Sequence, residues 1–177
     1  GGTDRITTGG IRGFLRRINF YDVFDGASKT SNSGSLPNDF GVLQLSSTSA
    51  YAEGSGALTY WDVSEWTDTV FSVGGANGVN GSSDSMLAYT FHGVEGYSKF
   101  SSYVGNGSND GPFIYTGFRP RLFVQKRIDS TGDWRVWDSA RHTFNPNDAI
   151  LRWNTSGAED TANATCDFLS NGVKLRV

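Results

Sequence analysis

Apolar positions along the chain recur in short runs, often alternating with polar ones and separated by clusters of Gly, Asn, Ser and Asp. Alternation with a period of two marks a half-buried strand, and turn signals about every eight to twelve residues argue for an antiparallel sheet protein. Runs at residues 41–45, 58–63, 67–73, 113–116, 122–127, 134–138, 149–153, 165–169 and 173–177 each predict a strand. The last is the cleanest, with Val173, Leu175 and Val177 expected inward and Lys174 and Arg176 outward. Residues 86–91 (MLAYTF) are apolar enough to predict a strand buried on both faces. Asp129-Ser130-Thr131-Gly132-Asp133 should close a hairpin between residues 122–127 and 134–138, and Ser170-Asn171-Gly172 should close another turn. Asn77-Gly78 and Asn80-Gly81 carry the strongest short hairpin signal. One stretch, residues 156–164, has a helix-start signature in Ser156 and Glu159, but it is short and polar.

The first forty residues read differently. Residues 1–10 are polar and glycine-rich, as in an arm or tether. Residues 13–24 are dense in apolar side chains without a clean period, so one or two strands and an amphipathic helix both fit. Residues 25–40 are rich in Ser, Gly and Asn and read as a loop. The expected organisation is an N-terminal arm or attachment segment at 1–40 and one β-sandwich domain at 41–177. The chain opens on Gly1-Gly2 without a methionine, which reads as a processed product or a fragment of a longer protein.

Composition narrows the chemistry. Aromatic residues make up 14% of the 177 residues, ample material for a packed core. The 23 glycines show no collagen period and fit many tight turns. A net charge of −3 and a pI near 5.3 do not suggest a general binder of nucleic acid or anionic membranes. Nor is there an apolar span of membrane length or a signal peptide. The single cysteine, Cys166, excludes an internal disulfide and a thiol-based zinc site; a half-buried thiol in a strand is the simpler reading.

The order of motifs in the second half adds a family resemblance. Leu87-Ala88-Tyr89, Gly93-Val94-x-Gly96-x-Ser98-Lys99-Phe100, Tyr103-x-Gly105-Asn106-Gly107 and Gly117-Phe118-Arg119-Pro120 come first. Lys126-Arg127-x-Asp129, Gly132-x-Trp134, Asp138-Ser139-x-Arg141 and Asp167-Phe168-Leu169-Ser170-Asn171-Gly172-x-Lys174-Leu175 follow. This order resembles an uncharacterised domain of tailed-phage structural proteins, found beside concanavalin-like or laminin-G-like modules in tail fibres and adhesins. The resemblance spans residues 65–177, with Val173 where the family would have Phe. It implies an all-β fold: an antiparallel β-sandwich of the jelly-roll, lectin-like kind with an extended N-terminal arm. It further implies a virion location and a homo-oligomer, a trimer among the states it allows, contacting other virion proteins. It supplies no catalytic residues, no cofactor, no nucleic-acid partner and no membrane insertion. Capsid decoration and a secreted bacterial glycan-binding module are the alternatives.

Host-surface glycan is the natural ligand for such a module, because sugars stack on aromatic rings and take directional hydrogen bonds from amides and carboxylates. Tyr97, Tyr103, Trp134 and Trp137 are the leading ring candidates, with Trp61, Trp66 and Trp153 behind them. Trp134 and Trp137 lie three apart, so in a strand they face opposite sides and both can be core only if both faces are covered. Asn106, Asn109 and Asp110 gather oxygen donors that could touch a ligand or hold Ca²⁺ weakly, in competition with a turn closed by Asx hydrogen bonds. Glycoside hydrolysis needs two carboxylates about 5–10 Å apart. Glu53, Glu65, Glu95 and Glu159 lie in unrelated contexts, and His92, beside Gly93, reads as an edge residue rather than a base. The sequons at Asn80, Asn106, Asn154 and Asn163 follow from an Asn- and Ser-rich composition.

Overall fold

A computed structural model describes residues 41–53, 60–62, 72–91, 93–162 and 165–176. The expectations for residues 1–40, Trp66, His92 and Asn163 lie outside the described residues, as does the side chain of Trp61. The protein is built from short strands in antiparallel sheets with almost no helix. It divides into two compact units, Gly1–Tyr89 and Thr90–Val177. No described helix is long and apolar enough to cross a membrane.

In the first unit, β1 (Gly41–Val42) pairs with β2 (Ala52–Glu53), and β3 (Trp61–Asp62) pairs with β4 (Ser72–Val73). The second ladder is extended where the Gly74 amide donates to the Tyr60 carbonyl at 2.9 Å. The two Asn-Gly pairs do not form a hairpin turn. They occupy a single helical turn, α1 (Asn77–Asn80), in which the Val79 and Asn80 amides both donate to the Ala76 carbonyl.

The second unit carries two three-stranded sheets. In one, the order is β5 (Phe113–Tyr115), β10 (Gly172–Arg176), β9 (Thr165–Leu169). In the other, it is β6 (Leu122–Gln125), β7 (Arg135–Asp138), β8 (Leu151–Arg152). The two hairpins expected from the sequence are both present: β6 with β7, and β9 with β10 across Ser170-Asn171. Val173 stands opposite both Ile114 and Phe168, and Leu175 opposite Cys166, so one face of that sheet is uniformly apolar. Trp137 and Phe123 stand opposite each other in the second sheet, their rings stacked at 5.5 Å. Trp137, Ile150, Cys166, Phe168 and Val173 form one buried cluster with Phe123 and Leu175 against it, so both sheets feed a single core.

Gly172 is required by packing. A Cβ there would lie 2.2 Å from the Ile114 carbonyl oxygen and 2.6 Å from the Phe113 ring, so the close approach of β5 admits only glycine. The thiol of Cys166 is fully buried, and burial beside Asp167 pushes its pKa up to about 12, which makes it an inert core atom.

Asparagine side chains close much of this unit. The Asn145 amide group both donates to the Phe168 carbonyl and accepts from its N–H, standing in for a neighbouring strand along β9. Asn147, fully buried, exchanges two backbone hydrogen bonds with Cys166. Its side chain donates to the carbonyls of Asp138 and His142 and accepts from the Ala149 amide. Asn154 accepts from the Trp134 amide and donates to Asp133. Arg141 adds a clasp between Asp138 and Glu159 and reaches the Ala149 carbonyl.

Two expectations fail here. Residues 86–91 form no strand, and Leu87, Tyr89 and Phe91 are exposed at 58%, 60% and 68%. Residues 156–162 form no helix; Asp160 instead exchanges backbone hydrogen bonds with Ile150, which makes that stretch an extension of the sheet region.

Candidate functional site

Residues 94–98 fold as a tight turn. The Val94 amide donates to the Ser98 carbonyl and hydroxyl, and the Ser98 and Tyr97 amides donate back to the Val94 carbonyl, all near 3 Å. The loop closes only because Gly96 takes a left-handed φ of +73°. The end of β5 makes the facing wall. There the Thr116 and Gly117 amides both donate to the Asn171 carbonyl, the Thr116 hydroxyl donates to the Phe118 carbonyl, and Gly117 turns the chain at φ +86°.

Between these walls lies an open groove of about 360 Å³, lined by Glu95, Lys99, Phe100, Tyr115, Thr116 and neighbouring backbone. The Lys99 ammonium sits 5.2 Å from the centre of the Tyr115 ring, a cation–π contact that links the walls. Phe100 leans on Phe91 at 6.3 Å between ring centres. β5 explains why Tyr115 is available: Ile114 points into the core, so Phe113 and Tyr115 must point out.

The ring candidates are not brought together. Tyr97 is 81% exposed and stands outside the groove lining. Tyr103 is half-buried on the β6–β7 hairpin, hydrogen-bonded to the Gln125 side chain; burial pushes its hydroxyl up to about 12 despite nearby Arg135. Trp134 and Trp137 are 4% and 1% exposed. Both faces of β7 are covered, neither ring offers a face to solvent, and these two drop out as stacking platforms. Trp153 remains partly exposed.

The loop at residues 105–111 is a self-closed turn. Asn106 accepts from the Ser108 amide and donates to the Asp110 carbonyl, and the Ser108 hydroxyl accepts from the Asp110 amide. The Asp110 carboxylate pairs with Lys174 at 2.8 Å, and that hydrogen bond and charge hold its pKa below the usual aspartate value. Asn109 is exposed on the same loop. The oxygens of Asn106 and the Asp110 carboxylate are thus engaged in turn bonds and an ion pair. No group of three or more His, Cys, Asp or Glu able to hold a metal occurs among the described residues.

A family model described as Domain of unknown function (DUF7483) matches residues 27–177. The chain belongs to the DUF7483 family. No curated protein and no solved structure matches it. The DUF7483 match takes in the whole Thr90–Val177 unit, and so both walls of the groove.

Sequence reasoning passed over the residues that line this DUF7483 groove. From sequence, Glu95 is a candidate only as a hydrolase carboxylate in an unrelated context, Lys99 and Phe100 belong only to the motif order, and Tyr115 only to a strand run. The available signal was the pattern Phe113-Ile114-Tyr115, which puts two rings on one face with only one apolar residue turned inward. The groove brings together ring surface, one carboxylate, one ammonium and fixed backbone walls.

Proposed function

We propose that this chain is a non-enzymatic structural protein of a tailed-phage particle, a tail-fibre or receptor-binding domain that recognises host-surface glycan. In this reading Thr90–Val177 is a lectin-like β-sandwich, its two sheets closing on the shared core of Trp137, Ile150, Cys166, Phe168 and Val173. The N-terminal arm joins it to other virion proteins, and the domain works as a homo-oligomer. The motif order from Leu87 to Leu175 supports the virion assignment.

The observation that carries the recognition role is the groove beside Tyr115. Tyr115 and Phe100 remain 59% and 48% exposed on walls fixed by backbone hydrogen bonds. Exposed rings on a rigid frame lose little conformational freedom on binding, which suits weak, repeated contacts to polysaccharide.

The test is direct. Antibody against the chain should label the tails of imaged particles, and the purified protein should bind host cells and release no reducing sugar from their polysaccharide. Label confined to capsid facets would favour capsid decoration. Sugar release lost on changing one carboxylate would overturn the non-enzymatic reading.

A further inference from the structure

Among the described carboxylates of Thr90–Val177, one stands apart. Asp110, Asp129, Asp133, Asp138, Asp148, Glu159, Asp160 and Asp167 each have a basic side chain within ion-pair distance. Glu95 forms no ion pair among the described residues, and it lines the groove. Lys99 lines it too, forms no ion pair among them, and is held over the Tyr115 ring. The two charges share one small groove without meeting each other. A solvated surface pair can drift apart without meaning, but here the unpaired carboxylate sits where exposed rings and a cation converge.

We propose that the groove binds the terminal residue of a neutral hexopyranose glycan, with Glu95 accepting from one hydroxyl and Lys99 donating to its neighbour. This rests on the glycan-recognition reading and names the sugar class. The groove's charges sum to zero, so a uronate gains Lys99 and meets Glu95, while an amino sugar does the reverse. A pair of adjacent hydroxyls suits both groups, because each hydroxyl can donate and accept. Hydrogen bonds to ionised groups are also the stronger kind, which fits an open site with few contacts. The exposed part of Phe100 offers an apolar surface to the C–H face of the ring. About 360 Å³ is near the small end of the ~300–1,000 Å³ range of ligand sites and suits one or two sugar residues.

The experiment uses the full chain against glucose-, galactose- and mannose-terminated oligosaccharides, beside uronate-terminated and amino-sugar-terminated ones, on an array and then by titration calorimetry. Neutral termini should bind best. Glu95→Gln should weaken that binding at least about tenfold and Lys99→Met severalfold, the range expected when a charge-assisted hydrogen bond is lost, with the melting temperature of both variants unchanged. Preference for uronate or amino-sugar termini, or neutral binding untouched by Glu95→Gln, overturns the neutral-sugar assignment and leaves glycan recognition standing. Binding to none of the sugar classes removes both.

Discussion

In the core, Trp134, Trp137, Phe168 and Val173 are buried and the amides of Asn145, Asn147 and Asn154 are bonded; around the groove, Phe91 and Phe100 are exposed and Glu95 and Lys99 form no ion pair among the described residues. Both regions draw on aromatics, Gly, Asn and Ser. In the first, Asn145, Asn147 and Asn154 bond to backbone far away in sequence, and Arg141 and Arg152 each hold two carboxylates. In the second, the Ser98 hydroxyl serves the local turn, Lys99 reaches the Tyr115 ring, and Phe91 and Phe100 cover each other partly. The contrast separates a frame from a surface that the frame displays. The unit pairs its other carboxylates and leaves Glu95 without an ion pair among the described residues, where the rings are open.

Substitutions in the frame should break it, and the largest effect belongs to Trp137. Its side chain is nearly fully buried and stacks on Phe123. Trp137→Ala leaves a large cavity in a core shared by two sheets and should cost about 3–5 kcal/mol by urea denaturation. A cost under about 1 kcal/mol would mean that the two sheets do not share one core. The Trp137 indole N–H is itself buried without a partner, so Trp137→Phe should recover much of the loss.

Asn147 comes next. Its amide satisfies the carbonyls of Asp138 and His142 and the N–H of Ala149. Asn147→Ala removes all three bonds at a fully buried site, and stranded buried polar groups cost about 1–3 kcal/mol each unless water enters. A net loss of about 2–4 kcal/mol should follow, with faster hydrogen exchange at Cys166 and Ala149. Unchanged exchange at Cys166 would show that the backbone bridge holds without the side chain.

Acid should cost stability through the carboxylates that folding holds in their charged form. At Asp138, partial burial pushes the pKa up, but hydrogen bonds from the Arg141 and Ala140 amides and the Arg141 guanidinium outweigh it and leave the value below 3.8. A carboxylate depressed on folding contributes stability above its unfolded pKa and loses it as pH falls through the folded value. Melting temperature should therefore fall as pH drops below about 4, and Asp138→Asn should flatten that fall while lowering stability near neutrality. An equally steep acid limb in Asp138→Asn would assign the effect to other carboxylates.

Much of the frame was legible because its signals are local. The alternation of Val173, Lys174, Leu175 and Arg176 and the Asp129–Asp133 turn between the β6 and β7 runs each fix a strand or a hairpin within a few residues. Residues 86–91 misled because apolar density says what could be buried, and burial depends on what arrives from elsewhere. Trp134 and Trp137 show the reverse. A lone strand would expose one of them, but residues up to Asn154 return to cover the second face. The groove was illegible for the same reason: it exists only once residues 93–100 lie beside residues 115–117, and Glu95 becomes conspicuous only after the other carboxylates have found partners.

The smallest expected effect is the sharpest test of the contrast. Glu95 is exposed, makes no hydrogen bond or ion pair among the described residues, and lies within a turn that the bonds between Val94 and Ser98 close without its side chain. Glu95→Gln should therefore shift unfolding free energy by no more than about 0.5 kcal/mol, as for a surface site away from structural features. Asp138→Asn, one charge removed from the frame, should cost clearly more under the same conditions. If the two variants lose equal stability, Glu95 is part of the frame after all, and the groove is no more a displayed surface than the core is. If only the frame variant suffers, the Glu95 carboxylate contributes nothing to folding, as the proposed ligand contact expects.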